Sequence, residues 1–114
     1  MKIQDFQMLP KIQHPTLTGV ETLSLRYLKG DSVTDLNLRI FEIQPGTENP
    51  LHSHDYSHDL FVIKGMGSVR LESGDQRIKE GDVVSIASHE PHAFVNDGEE
   101  ILQFLCMDCT ALET

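Results

Sequence analysis

Three of the six histidines stand within seven positions, as His52, His54 and His58 in "PLHSHDYSHDLF". Imidazole nitrogen is a common ligand for divalent transition metals, so such a cluster is first a candidate metal site. If "LHSH" is extended, His52 and His54 face the same side with Cα atoms about 6.6 Å apart. Two rings so placed converge on one ion, through bonds of about 2.0–2.1 Å for zinc. His58 would lie about 13 Å from His54 on a continuous strand, so "DYS" must bend the chain if all three bind one ion. A helix would also bring His54 and His58 together, but Pro50 upstream and the β-rich "LFVI" downstream oppose it. The alternative is a polar loop rich in histidine, and a further ligand elsewhere in the chain decides between the two.

The elements that must position these rings read as strands. Short apolar or alternating runs recur: "VETLSLRYL", "LNLRIFEI", "DLFVI", "GSVRLE", "DVVSIA", "HAFVN" and "ILQFLCM". Between them lie turn signals such as "KGD", "QPGTENP", "KGMG", "SGDQ", "KEGD" and "NDGEE". Many short strands punctuated by Gly, Asp and Pro predict an all-β sandwich or barrel. "LESGDQRI" predicts a hairpin with Gly74 and Asp75 at its turn. No segment carries a helical period. Residues 1–19, with Pro10 and Pro15, are expected to form an N-terminal arm, and residues 20–114 a single barrel domain.

A chain of 114 residues suits one modest core. Its net charge of −9, with the nine basic residues scattered singly, argues against nucleic acid and anionic membranes as partners. No apolar run reaches the ~18–20 residues of a membrane span. "MKIQDFQMLP" lacks a secretory h-region, so a cytoplasmic location is expected. Cys106 and Cys109 form a C-x-x-C pair, but on a strand residues three apart point to opposite faces, which opposes a working dithiol.

Two segments together resemble the cupin superfamily. The first family motif is matched by Gly46, "TENPL", His52, Ser53, His54, "DYS", His58, "DLFVIK" and Gly65. His58 stands where the family usually has glutamate. The second motif is matched by Gly81, "DVVSI", Ala87, Ser88, His89, "EP", His92, "AFV" and Asn96. Ala87 and His89 replace the usual proline and glycine there. The resemblance covers roughly residues 36–107. It implies a cupin double-stranded β-helix (jelly-roll) barrel and adds His92 as the missing ligand, giving a cage of His52, His54, His58 and His92. Among small single-domain cupins it implies one divalent metal per chain, with Mn favoured and Fe, Ni, Zn or Cu as alternatives, and it implies a homodimer.

Four neutral imidazoles leave a divalent ion at +2, against +1 when one ligand is a carboxylate. Such a centre should favour an anionic or chelating small-molecule ligand. Arg39, in "LNLRIFEI", would orient a substrate carboxylate if it faces inward, or is a solvated surface arginine if it faces out. Alternation puts His92, Phe94 and Asn96 on one face, and Phe104 with Cys106 on one face of the last strand. Phe94, Phe104 and Cys106 are therefore candidate pocket residues, or simply core. Asp55 and Asp59 flank the histidines and could accept ring N–H bonds. His14 and His89 read as surface. The expected activity is a metal-dependent, dioxygenase-like oxygenase; the alternatives are a Lewis-acid isomerase or lyase, or a non-catalytic metal- or metabolite-binding module.

Overall fold

Alternation along the apolar runs sends every second side chain to one face, and pairing of those faces builds the observed architecture. The computed structural model describes residues 1, 3–13, 23–28, 37–54 and 57–108. Among these, the strands are β1 (Ile12–Gln13), β2 (Leu23–Tyr27), β3 (Asn37–Ile43), β4 (His58–Lys64), β5 (Met66–Leu71), β6 (Gly74–Lys79), β7 (Val83–Ile86), β8 (His92–Val95) and β9 (Leu102–Asp108). A short 3-10 turn, Phe6–Met8, precedes them and is capped by the Asp5 carboxylate, which accepts from the Gln7 N–H at 3.0 Å. No described helix is long and apolar enough to cross a membrane.

The strands form a six-stranded sheet in the order β1-β2-β3-β9-β4-β7 and a three-stranded sheet in the order β6-β5-β8. Every pair is antiparallel. The fold is the all-β jelly roll expected from the sequence. In β4 the alternation is plain: His58, Leu60 and Val62 are buried while Asp59 and Phe61 are exposed. The same strand face therefore carries one histidine and two core residues. Phe41, Phe94 and Phe104 meet between the sheets, with Phe41 stacked on Phe104 at 5.2 Å and Phe94 tilted against Phe104 at 4.8 Å.

Two details differ from the sequence reading. The β5–β6 hairpin pairs Leu71 with Gly74, so its turn is Glu72–Ser73 and Gly74 opens the next strand with φ 126°. A glycine beside a turn is as serviceable as one within it, because its positive φ is needed where the chain re-enters the ladder. At the N-terminus, β1 pairs with β2 through Ile12–Leu25 and Gln13–Ser24, so this part of the expected arm is a sheet strand. The expected boundary between arm and barrel at residues 19 and 20 lies outside the described residues.

Buried polar side chains tie the strands to their loops. Asn96 donates to the Ile43 carbonyl at 2.7 Å and to the Glu100 carbonyl at 2.8 Å, and its Oδ1 accepts from Gly98 N–H at 3.0 Å. The Asn49 Oδ1 accepts from the Phe94 N–H at 2.6 Å. These bonds satisfy backbone groups that sheet pairing leaves over.

Gly65, between β4 and β5, has φ +88°, and a Cβ there would lie 2.5 Å from the Ile101 carbonyl oxygen. Gly81 has φ +91°, but a Cβ there meets nothing within 4 Å. Gly81→Ala should therefore lose about 1 kcal/mol from backbone strain alone, and Gly65→Ala clearly more, about 2–4 kcal/mol. Urea denaturation of the two variants checks the ordering; equal midpoints would contradict the close approach at Gly65.

Candidate metal centre

His52 and His92 are brought together by their own backbones. They form an isolated antiparallel bridge, with His52 N–H donating to the His92 carbonyl at 2.9 Å and His92 N–H donating to the His52 carbonyl at 2.8 Å. Each ring then makes the same local bond. His52 Nδ1 lies 3.0 Å from the Pro50 carbonyl, and His92 Nδ1 lies 2.7 Å from the Glu90 carbonyl. A carbonyl oxygen only accepts, so in both rings Nδ1 carries the proton and Nε2 presents a lone pair. The two ring centroids are 4.4 Å apart.

His54 and His58 complete the cluster from the other side. His54 is fixed through its carbonyl, which accepts from His89 N–H at 2.7 Å. Its Nε2 lies 2.7 Å from Nε2 of His58, the first residue of β4. The bend expected at "DYS" falls on a stretch whose residues 55 and 56 lie outside the described residues. The nitrogens of His52, His54 and His92 all fall within 4.8 Å of one another. His58 joins them through His54, and its ring is 5.3 Å from that of His92. The four histidine rings therefore lie against one another.

Burial keeps the inner rings neutral. His58 is pushed down to about 2, first by loss of solvent and then by the neighbouring His54. His92 is pushed down to about 4, again mainly by burial. A neutral ring is the form that binds metal. His92 Nε2 is buried and has no hydrogen-bond partner in the protein. Leaving such an acceptor without a partner costs about 1–3 kcal/mol, which a metal bond at that lone pair would offset. Two further nitrogens 2.7 Å apart are close to the roughly 3 Å separation of adjacent ligands around one ion at 2.0–2.1 Å. The residues present thus fit a divalent transition metal, and the donor set alone does not select among them.

Cys106 is the partner of His58. Its Sγ lies 3.1 Å from His58 Nδ1, and burial pushes the thiol up to about 11, so it stays protonated. A neutral thiol can donate or accept. It accommodates His58 with its proton shared toward His54, and equally with the proton on Nδ1 and a lone pair at Nε2. A backbone carbonyl would permit only the second state. Cys106 is also part of the core, as the second of its two sequence readings has it. Cys109 lies outside the described residues.

Arg39 faces inward: it is 1% exposed, on the same face of β3 as Phe41 and Ile43. Its guanidinium carbon sits 5.2 Å from the Phe41 ring centroid, and its charge helps lower His58 and opposes the rise at Cys106. Phe94 stands beside His92 at 6.1 Å, and both Phe94 and Phe104 are buried in the core. Phe94 thus backs His92, and Phe104 packs against Phe94. Asp59 is exposed, and its Oδ1 accepts from Ser85 Oγ at 2.7 Å, a bond directed away from the rings. Asp55 and His14 lie outside the described residues. His89 is exposed as expected, yet it adopts φ 65°, the only positive φ among described non-glycine residues. It stands at the motif position usually held by glycine, which was the available signal for that backbone conformation.

A jelly-roll barrel with converging imidazoles that could hold a metal ion is an arrangement of the cupin type. The cupin domain model matches residues 39–108, and the chain belongs to that family. Over 70 residues it is 33% identical to 1-methylthio-D-xylulose 5-phosphate methylsulfurylase of Rhodospirillum rubrum, covering 61% of this chain and 45% of that protein. The chain thus spans less than half the length of that relative. Over 111 residues it is 24% identical to an oxalate-binding protein of Thermotoga maritima, covering 94% of this chain and 92% of the relative. Its structure superposes on a polyketide cyclase from Streptomyces resistomycificus with TM-score 0.84 at 23% identity, covering 95% of this chain and 78% of that one.

Two outcomes follow from this geometry. Purified protein loaded with Mn, Fe or Zn should hold about one equivalent by elemental analysis, and His92→Ala should lose it while keeping the folded circular dichroism signal. Retention of a full equivalent by His92→Ala would contradict the cage. The metal-free protein should also lose stability on acidification. The unfolded chain takes up protons near the ordinary histidine value of 6.5, whereas folded His92 resists until about 4 and His58 until about 2. The unfolded state then binds more protons, so stability falls as pH drops below 6.5, by up to about 1.4 kcal/mol per pH unit for each ring. Denaturation midpoints between pH 7 and pH 4 measure the slope, and His92→Gln should flatten it.

Proposed function

We propose that this cupin holds one divalent transition metal on His52, His54, His58 and His92, takes a small chelating anion beside it, and oxidises that anion with O₂. The observation that carries this reading is the convergence of imidazole nitrogens, with the buried lone pair of His92 Nε2 lacking any protein partner. Bound there, a redox-active ion would supply Lewis-acid polarisation of the chelated ligand and a place for O₂ beside it. A dioxygenase that transfers both oxygen atoms to its substrate needs no added reductant.

The protein's own residues do the rest. Carbonyls of Pro50 and Glu90 hold the His52 and His92 rings in the Nε2-binding tautomer. Cys106 lets His58 adopt that tautomer too. Arg39, buried on the same side as Cys106, supplies a planar positive group for a carboxylate or enolate of the ligand. Phe94 and Phe104 exclude water behind His92. A second reading, binding without turnover, is favoured by the oxalate-binding relative matched along 92% of its length.

The Mn- or Fe-loaded protein should consume O₂ with at least one member of a panel of diketones, catechols and alkenes, and His92→Ala should abolish the uptake. No uptake with any of them, together with oxalate binding that returns the ligand unchanged, would replace the oxygenase by the second reading. Arg39→Lys should weaken oxalate binding to the loaded protein about 10- to 100-fold, from loss of charge-assisted hydrogen bonds. Unchanged affinity would remove Arg39 from the ligand site.

A further inference from the structure

Among the described residues, no strand pairs with the outer edge of β6 or of β7. β6 and β7 are edge strands of the two different sheets. Between them lies a cavity of about 310 Å³, at the lower end of the volumes that hold small molecules. Val69, Leu71, Ile78, Val84 and Ile86 line it with apolar surface.

Strand register ties this slot to the candidate metal centre. Leu71 lies directly opposite His92 across β5 and β8, and Ile86 directly opposite His58 across β4 and β7. Opposed residues in an antiparallel pair project to the same side. Leu71 and Ile86 therefore stand next to two cage histidines on the interior of the barrel. Gln76 lies opposite Val69, two residues from buried Ile78, so it too points inward. Yet Gln76 is exposed, which means solvent reaches the interior along this seam.

The surroundings of the cage are thus chemically lopsided. On the β3–β9 side stand the Arg39 guanidinium and the Cys106 thiol, paired across those strands. On the β5–β7 side the inward-facing side chains of the slot are apolar apart from the amide of Gln76, while Arg77, Asp82, Ser85 and Glu90 also border the cavity. A ligand made solely of polar atoms would satisfy the first side and leave the second against water.

We propose that the ligand of this centre is amphipathic: a chelating anionic head held at the cage and Arg39, and an apolar chain of several carbons lying in the slot between β6 and β7. This rests on the reading of the cage as a ligand-binding metal centre. Oxalate-like molecules would then occupy only the head position.

The test is calorimetric titration of the zinc-loaded protein with 2-oxobutanoate, 2-oxohexanoate and 2-oxooctanoate, which share one chelating head. Affinity should rise about fourfold with each added methylene, and the heat-capacity change should grow more negative with chain length. Gln76→Trp places a ring in the slot from an exposed position, so folding is not at stake. It should erase the dependence on chain length and leave 2-oxobutanoate affinity unchanged; Gln76→Ala should preserve the dependence. Equal affinities across the series in the unaltered protein, or a gain that survives Gln76→Trp, would overturn the slot while leaving the metal centre standing. Failure of all three acids to bind would overturn the proposed centre and the slot together.

Discussion

The reciprocal backbone pair between His52 and His92 is the constraint on which the candidate site depends. Forty residues separate the two in sequence, and each donates its N–H to the other's carbonyl. Because the pair is an antiparallel bridge, both rings project to one side and meet at 4.4 Å. Each ring is then locked by a bond to the carbonyl two residues upstream. Main-chain hydrogen bonding thereby sets both the position and the tautomer of two candidate ligands, with no acidic side chain needed in that role.

The other two rings are held differently, and the difference has chemical content. His58 begins a strand whose next inward residues are Leu60 and Val62, so it is anchored by the core and suffers the greater loss of solvent. Its partner Cys106 belongs to the same core. A carboxylate at position 58 would bring negative charge into this buried environment close to Arg39. Imidazole keeps the position neutral beside the buried guanidinium. The apolar seam at Leu71 and Ile86 lies on the opposite flank, so polarity changes across the cluster.

Much of this was legible in the chain. Period-two alternation in "LNLRIFEI", "DLFVI" and "ILQFLCM" marked strands that the structure contains, and the spacing of His52 and His54 marked a same-side pair. The hairpin turn was misplaced by two residues because Gly74 serves equally well within a turn or just after one. The inward burial of Arg39 was undecided, because alternation alone does not tell which face of an outer strand meets the second sheet. The bond between Cys106 and His58 links residues forty-eight apart and depends on β4 lying beside β9. The seam between β6 and β7 has no local signal at all.

Sequence by itself determined the strand-forming segments, the glycines that reverse them and the residue types available as ligands. It did so because alternation, turn chemistry and donor identity are properties of neighbouring residues. The tertiary structure alone decided that Arg39 points in, that Cys106 meets His58 and that β6 and β7 are edge strands among the described residues. Those outcomes depend on strand order and register between distant segments, where a shift of one residue would exchange every inward side chain for its outward neighbour.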